Sequence, residues 1–102
     1  MAGAPRRNWT FLTNHAGVLV SIARNPGTRI DDIAHEVGIS RRAAQMIVTD
    51  LADDGYIERT RIGRRNQYRV RPDMPLRRKP FRDRDVRVLL ELVDDEPTPP
   101  GS

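Results

Sequence analysis

The chain has 102 residues and no cysteine, is 37% hydrophobic and 31% charged, and carries a formal net charge of +4. This length fits one domain, and the composition is typical of a compact fold with a heavily charged surface. The lack of cysteine excludes disulfides, thiolate metal sites and thiol nucleophiles. No apolar run approaches the roughly 20 residues of a membrane helix, and Met1 to Trp9 lacks the apolar core of a secretory signal. We therefore expect a cytoplasmic protein with no membrane partner.

The two ends of the chain contain nothing to bury. Residues 1–8 are rich in Ala, Gly, Pro and Arg, and residues 96–102 in Pro, so we expect disordered tails at both ends. Between them, a first helix is predicted from Thr13 to Arg24, because apolar residues cover most of its circumference before an Asn-Pro-Gly breaker. Such a helix is either a central core helix or also a contact between subunits.

Two further helices are predicted, separated by a glycine turn. Gly38 ends the second helix, because a tight exit needs a residue that tolerates positive φ, and Ser40 is expected to cap the third. Asp53-Asp54-Gly55 closes the third helix, and residues 28–30 are predicted to form one short strand rung. The apolar stripes at helical spacing are Ile30, Ile33, Ala34 and Val37 in the second helix, and Ala44, Ile47, Val48 and Leu51 in the third.

After Gly55 the periodicity changes from helical spacing to alternation. Apolar or aromatic residues interleave with polar ones from Tyr56 to Ile62 and from Gln67 to Val70, with Gly63-Arg64-Arg65-Asn66 between the two runs. This pattern predicts a hairpin with a basic tip, in which Gly and Asn supply the unusual backbone angles of the turn. Residues 73–82 are predicted to be a basic, proline-containing linker, and residues 83–95 a C-terminal helix.

The predicted C-terminal helix is short but carries a wide apolar stripe, which needs to be covered by other residues. We therefore expect a homodimer in which the first and last helices form the interface. The aromatic residues before the first helix are expected to anchor that segment in the core or in this interface, with a wall for a ligand as the alternative. The residues expected at the dimer interface are Trp9, Phe11, Leu19, Val86, Leu89, Leu90 and Val93.

Basic residues cluster in the second half of the chain. Between Arg59 and Arg84 there are eleven Arg and Lys residues against two Asp residues, an excess that indicates a polyanionic partner. Two helices joined by a short glycine turn, the second opening with Ser40-Arg41-Arg42, are typical of a helix-turn-helix. The fold class expected is mainly α with a small β-hairpin, a winged helix-turn-helix over residues 9–72 followed by the dimerisation helix.

The outward side of the third helix suits the recognition of base edges in double-stranded DNA. Arginine can bind guanine with two hydrogen bonds, glutamine can do the same to adenine, and apolar or methyl-bearing side chains can pack on a thymine methyl. The helix N-terminus favours a phosphate, and the basic tip can straddle the backbone or enter the minor groove. The residues expected to contact DNA are Ser40, Arg41, Arg42, Gln45, Met46, Thr49, Arg61, Arg64, Arg65 and Asn66.

Three segments carry a resemblance to a known family. They are WTFLTNH at Trp9 to His15, the run from Asp31 to Val70, and Pro75-Leu76-Arg77. Together they resemble the small winged-helix regulators of the MarR and ArsR type that are common in actinobacteria. The resemblance implies a dimer, DNA binding through the third helix and the wing, and control of nearby genes. A base preference is not implied, because relatives often carry a basic residue where Met46 stands.

Neither enzymatic chemistry nor a cofactor or metal is expected. His15 and His35 fall on different predicted helices without a clear third ligand, and zinc needs three or four. Asp31 and Asp32 are interpreted as favouring a helix N-terminus rather than as catalytic groups. Nothing in the sequence identifies a small-molecule effector. The alternatives to a nucleoid-associated, sequence-specific regulator are a winged-helix module that binds a protein and a non-specific nucleic-acid-binding protein.

Overall fold

The computed structural model describes residues 9–81 and 83–94. The prediction of a mainly α fold with a small hairpin is confirmed. The expected tails, 1–8 and 96–102, lie outside the described residues. The elements are α1 (Asn14–Arg24), α2 (Ile30–Val37), α3 (Arg41–Asp53), β1 (Ile57–Ile62), β2 (Arg65–Val70), a 3-10 turn (Lys79–Phe81) and α4 (Arg87–Asp94).

Side-chain caps set the starts of α1 and α3. The Thr13 hydroxyl accepts a hydrogen bond from the Ala16 N–H at 3.2 Å, and the Ser40 hydroxyl accepts one from the Ala43 N–H at 3.0 Å. Each bond satisfies an N–H group that has no partner within the first helical turn. The prediction that Ser40 caps the third helix is confirmed, and α1 begins at Asn14 because Thr13 is its cap.

The turn between α2 and α3 depends on Gly38. Its φ is 84°, and its N–H donates to the Ala34 carbonyl at 2.8 Å, which closes the last turn of α2. This backbone conformation is accessible to glycine at little cost and strained for other residues. The chain can therefore reverse within three residues and place α3 across α2.

One core joins the helices to the base of the hairpin. Ile22, Ile33 and Val48 are fully buried, one from each of the first three helices, and Ile57 and Tyr68 bring the two strands into the same cluster. Beyond this base the hairpin is solvated, because every residue from 58 to 67 is exposed. The hairpin of β1 and β2, called the wing below, is thus anchored at one end by the core and projects into solvent at the other.

The strand rung predicted at residues 28–30 does not form. Within the described residues the sheet contains only β1 and β2, and α2 already begins at Ile30. The loop between α1 and α2 instead meets β2 through one backbone hydrogen bond, from the Tyr68 N–H to the Pro26 carbonyl at 2.9 Å. The Thr28 N–H donates to the Asn25 carbonyl at 2.9 Å, so the loop closes on itself and meets β2 through a single bond in place of a third strand.

The hairpin turn is shorter than predicted. Arg65 and Asn66 pair with Ile62 and Arg61 in the antiparallel ladder, so only Gly63 and Arg64 remain in the turn. Gly63 has a φ of 64°, which fits a two-residue turn with glycine in its first position. Arg65 and Asn66 are therefore strand residues, each opposite a defined partner, rather than parts of a loose tip.

The segment predicted to be a linker, residues 73–82, packs against the domain it follows. The Tyr56 hydroxyl donates to the Pro75 carbonyl at 2.5 Å, and the Val86 N–H donates to the Met74 carbonyl at 2.9 Å. Pro75 and Asp85 also form an isolated antiparallel bridge. These bonds fold the segment back on itself and deliver α4 to the surface of α1.

The C-terminal helix starts at Arg87, later than the predicted residue 83. Val86 precedes it and is 4% exposed, and Leu19 of α1 is 2% exposed. Both were expected at the dimer interface, but each is buried against its own chain and offers a partner almost no surface. Leu89, Leu90 and Val93 are only partly buried, so the apolar stripe of α4 is incompletely covered by its own chain.

Candidate nucleic-acid interface

Helix α3 divides cleanly into a buried and an exposed side. Its buried residues are Ala44, Ile47, Val48 and Leu51. Its exposed residues include Arg42, Gln45, Met46 and Thr49. This division is the one that the spacing of apolar residues predicts, because a stripe at i, i+3, i+4 and i+7 occupies one side of a helix. These four residues present one cation, one amide, one thioether and one hydroxyl to solvent, and Arg41, Asp50 and Asp53 of α3 are exposed as well.

Met46 is the unusual member of this exposed side. It is 62% exposed, although it lies in the middle of a helix whose apolar residues are otherwise buried. A flexible thioether adapts its shape to the surface that it meets. Placed between Gln45 and Thr49, it can pack on a thymine methyl group while its neighbours form hydrogen bonds.

Arg41 is held by the preceding helix. One of its terminal nitrogens lies 3.2 Å from Asp31 Oδ1, and both side chains are largely exposed. A solvated ion pair of this kind contributes little stability. Its effect is positional, since it ties the guanidinium at the start of α3 to the first turn of α2. The sequence pattern pointed to Arg41 but not to Asp31 as its partner.

The basic residues of the wing have different surroundings. Arg64 is exposed in the two-residue turn, and the Arg61 Nε donates to the Gly63 carbonyl at 3.3 Å. The Arg65 guanidinium donates to the Gly27 carbonyl at 2.9 Å. Arg64 and Arg65 were expected to act together at the tip. In the structure Arg65 instead points back to the loop between α1 and α2.

The two faces of the hairpin differ in charge. Residues opposite each other in the ladder share a face, so Arg59 and Arg61 lie on the same face as buried Ile57 and Tyr68. The other face carries Glu58, which lies 3.9 Å from Arg69 and 3.8 Å from Arg71. The acidic residue of the hairpin thus offsets charge on one face only. Arg59 was missed as a candidate, although alternation within β1 places it on the same face as Arg61.

A comparison with known protein families identifies the family of the chain. A model of the MarR family matches residues 10–64, which run from the segment before α1 to the turn of the hairpin. The chain belongs to the MarR family. It is a winged-helix transcriptional regulator, and the part of the resemblance that pointed to MarR proteins is confirmed. No curated protein matches the sequence. The family match ends before β2, so the 73–82 segment and α4 lie outside it.

Two further polar contacts of this MarR-family chain join helices to one another. His15 Nε2 of α1 lies 2.8 Å from Asp50 Oδ2 of α3, and the Ser21 hydroxyl donates to Glu36 of α2. In residues 9–81 and 83–94, no three His, Cys, Asp or Glu side chains converge in a way that could hold a metal ion. His15 therefore links α1 to α3.

None of the helices in the described part of this MarR-family chain is both long enough and apolar enough to span a bilayer.

Proposed function

We propose that the protein binds double-stranded DNA in a sequence-specific manner as a homodimer, with α3 in the major groove and the wing on the backbone or in the minor groove. The observation that carries this proposal is the division of α3 into two sides. Its apolar stripe is buried in the core, which fixes the helix with its polar residues facing solvent. The base of the basic wing is fixed in the same core. A rigid helix beside a rigid cationic hairpin suits one duplex.

Each residue on the exposed side of α3 has a distinct role in this proposal. Arg42 would bind guanine through two hydrogen bonds, Gln45 would bind adenine in the same way, and Met46 and Thr49 would pack on thymine methyl groups. Ser40 and Arg41 lie where the unpaired N–H groups and the dipole of α3 favour a phosphate. Base recognition and backbone positioning are thereby assigned to successive turns of one helix.

The wing would supply contacts that do not depend on sequence. Arg64 in the turn and Arg61 beside it are exposed, and Asn66 lies opposite Arg61 in the ladder. Arginine is favoured in a narrow minor groove by the negative potential there, and on the backbone by the release of counterions. Arg65 would support the wing from the side through its bond to Gly27 rather than lead the contact.

The homodimer follows from the incomplete cover of α4. Leu89, Leu90 and Val93 are partly buried, and a second subunit would remove their remaining apolar surface from water. Two copies of α3 about 34 Å apart would then meet successive major grooves on a pseudo-palindromic site. Trp9 and Phe11 belong to the same proposal, because both are exposed in the single subunit.

The experiment that tests the function is selection of bound duplexes from a random pool, followed by a salt titration of the selected sequence and of a scrambled one. We expect enrichment of a two-fold related motif. We also expect similar salt slopes for the two duplexes but tighter binding of the selected one, because phosphate contacts are shared and base contacts are not. Equal affinity for both duplexes would support non-specific binding instead. Failure to bind any duplex at low salt would contradict the proposal.

A further inference from the structure

Large apolar side chains that remain exposed fall into two groups. Within the described residues they are Trp9, Phe11, Leu12, Met46, Ile62, Phe81 and Leu92. Met46 and Ile62 lie on α3 and near the tip of the wing, the elements proposed to meet DNA. Of the other five, Phe11, Leu12 and Phe81 line a single groove on the surface formed by α1, α4 and the segment before α4. Trp9 lies against Phe11, and Leu92 follows the lining residues on α4. Exposed apolar surface that is contiguous, rather than scattered, marks an interaction site.

The groove has a floor of core residues and an aromatic edge. Its volume is about 820 Å³, and its floor is formed by Leu19, Leu51 and Val86. Phe11 lies at one edge and Phe81 at another. Leu92 is one turn beyond the lining residues of α4 and extends the same apolar side. A cavity of this size is within the range that accommodates a drug-sized molecule, so it can accommodate two aromatic rings.

The segment before α1 carries an aromatic pair that does not fill its own groove. Trp9 and Phe11 stack edge to face, with ring centroids 5.1 Å apart and planes at 79°. They are 60% and 91% exposed, although aromatic side chains gain most from burial. The pair is preorganised by its own contact and therefore needs little further ordering to dock in an apolar site.

The groove and the aromatic pair form a self-complementary surface. In a two-fold dimer the same patch lies on both sides of the interface, so a projecting part must meet a recess of an identical chain. The five exposed side chains around the groove offer roughly 600 Å² per subunit if a fully exposed large side chain contributes about 200 Å². The doubled area, about 1,200 Å², reaches the lower limit for a stable specific interface.

We propose that Trp9 and Phe11 of each subunit dock in the groove of a second copy of the chain, so that the dimer is held by two exchanged aromatic pairs. The proposal rests on the homodimer of the proposed function and names the segment that forms it. The groove is also lined by Asp50, Leu51 and Asp54 at the end of α3. The docked pair therefore contacts the C-terminal end of α3, and dimer assembly is linked to the position of that helix.

The chain contains its own reporter for this docking, because Trp9 is its only tryptophan. We expect its fluorescence to shift to shorter wavelength and to resist acrylamide quenching as the protein concentration rises. The change should follow the doubling of mass measured by sedimentation on the same samples. Met46→Ser is the matched control, since it removes an exposed apolar side chain far from the groove and should leave both curves unchanged.

Two variants test the aromatic pair and the groove separately. Trp9→Ser damages the aromatic pair without changing a residue that lines the groove, and Phe81→Glu damages the groove at an exposed edge. Both side chains are exposed, so neither change disturbs the buried core, and sedimentation measures the association of both variants. Each should raise the dimer dissociation constant about 1,000-fold, because the two-fold dimer loses the anchor at both of its sites and each lost anchor costs about 30-fold. A mixture of the two variants should associate more tightly than either alone, because the mixed dimer retains one intact pair in one intact groove.

Three results would overturn the proposal. A mass that doubles without a change in Trp9 emission places the interface elsewhere, and Trp9 emission that is shifted at every concentration shows closure on the chain's own groove. A mass that never doubles excludes the dimer itself. Duplex binding is measured separately on the same variants. Docking without DNA binding would contradict only the proposed function, whereas DNA binding without docking would contradict only this inference.

Discussion

Helices α3 and α4 are both amphipathic, yet only α3 is complete within one subunit. All four residues of the apolar stripe of α3 are buried, and its exposed side is mainly polar. The stripe of α4 is partly buried, and Leu92 is 67% exposed. A helix whose apolar side is already covered is free to present the other side to a ligand. A helix whose apolar side is still open lacks cover, and this difference is why we propose that α3 serves recognition and α4 assembly.

The two helices should differ most in how far the loss of an apolar side chain lowers the stability of the protein. Val48→Ala removes two methyl groups from a fully buried site on α3 and should lower the free energy of unfolding by roughly 2 kcal/mol. Val93→Ala makes the same change on the partly buried side of α4 and should cost about 1 kcal/mol or less in the dilute subunit. Urea denaturation at low protein concentration measures both. Equal losses would show that α4 is as well packed as α3.

A smaller loss of stability is expected from a substitution at the start of α3. Ser40→Ala removes the hydroxyl that accepts from the Ala43 N–H and should cost about 1 kcal/mol of stability. Thr13→Ala removes the equivalent cap of α1 and provides the matched control. Both variants should lose similar stability in thermal denaturation, but only Ser40→Ala should also weaken duplex binding. Equal duplex binding by the two variants would separate the start of α3 from the DNA contact.

Features that depend on residues close together in the sequence could be predicted, and features that depend on distant residues could not. The stripes of α2 and α3, the Gly38 exit and the Ser40 cap are local, so spacing and residue type were enough to predict them. The hairpin register, by contrast, places Arg65 and Asn66 in the ladder rather than in the turn. The turn is two residues shorter than predicted, and a shift of the pairing by two residues keeps every side chain on the same face. Alternation of apolar and polar residues therefore cannot distinguish the two registers when the tip is polar throughout.

The dimer residues show a second limit of sequence. Leu19 and Val86 have the same apolar character as Leu89 and Val93, but the fold buries the first two inside the subunit. Amphipathic spacing shows that a side chain needs cover and does not show which chain provides it. The hydrogen bonds of Tyr56 to Pro75 and of Val86 to Met74 bring α4 onto α1, and neither bond has a signature in the sequence.

The smallest expected effect distinguishes the two adjacent arginines of the wing. Arg64→Ala should reduce the slope of the logarithm of affinity against the logarithm of salt concentration by about one, for selected and scrambled duplexes alike. Arg65→Ala should reduce the slope less, because its guanidinium is bound to the Gly27 carbonyl. Salt titrations of both variants provide the comparison. A larger change for Arg65→Ala would assign the leading contact to the side of the wing rather than to its tip.

The central claim is that the exposed side of α3 recognises bases, and Arg42 tests it most directly. Duplex affinity is measured for the parent and for Arg42→Ala, on the selected sequence and on versions with each guanine pair replaced. Arg24→Ala, an exposed arginine at the end of α1, makes the same change in net charge and serves as the control.

We expect Arg42→Ala to lose about 1–3 kcal/mol on the selected duplex and to lose preference at one base pair only, where replacement then costs it nothing further. Arg24→Ala should retain the parent's preference at every position. If Arg42→Ala discriminates among all the duplexes as the parent does, α3 does not recognise that base through Arg42, and the account of its exposed side is contradicted.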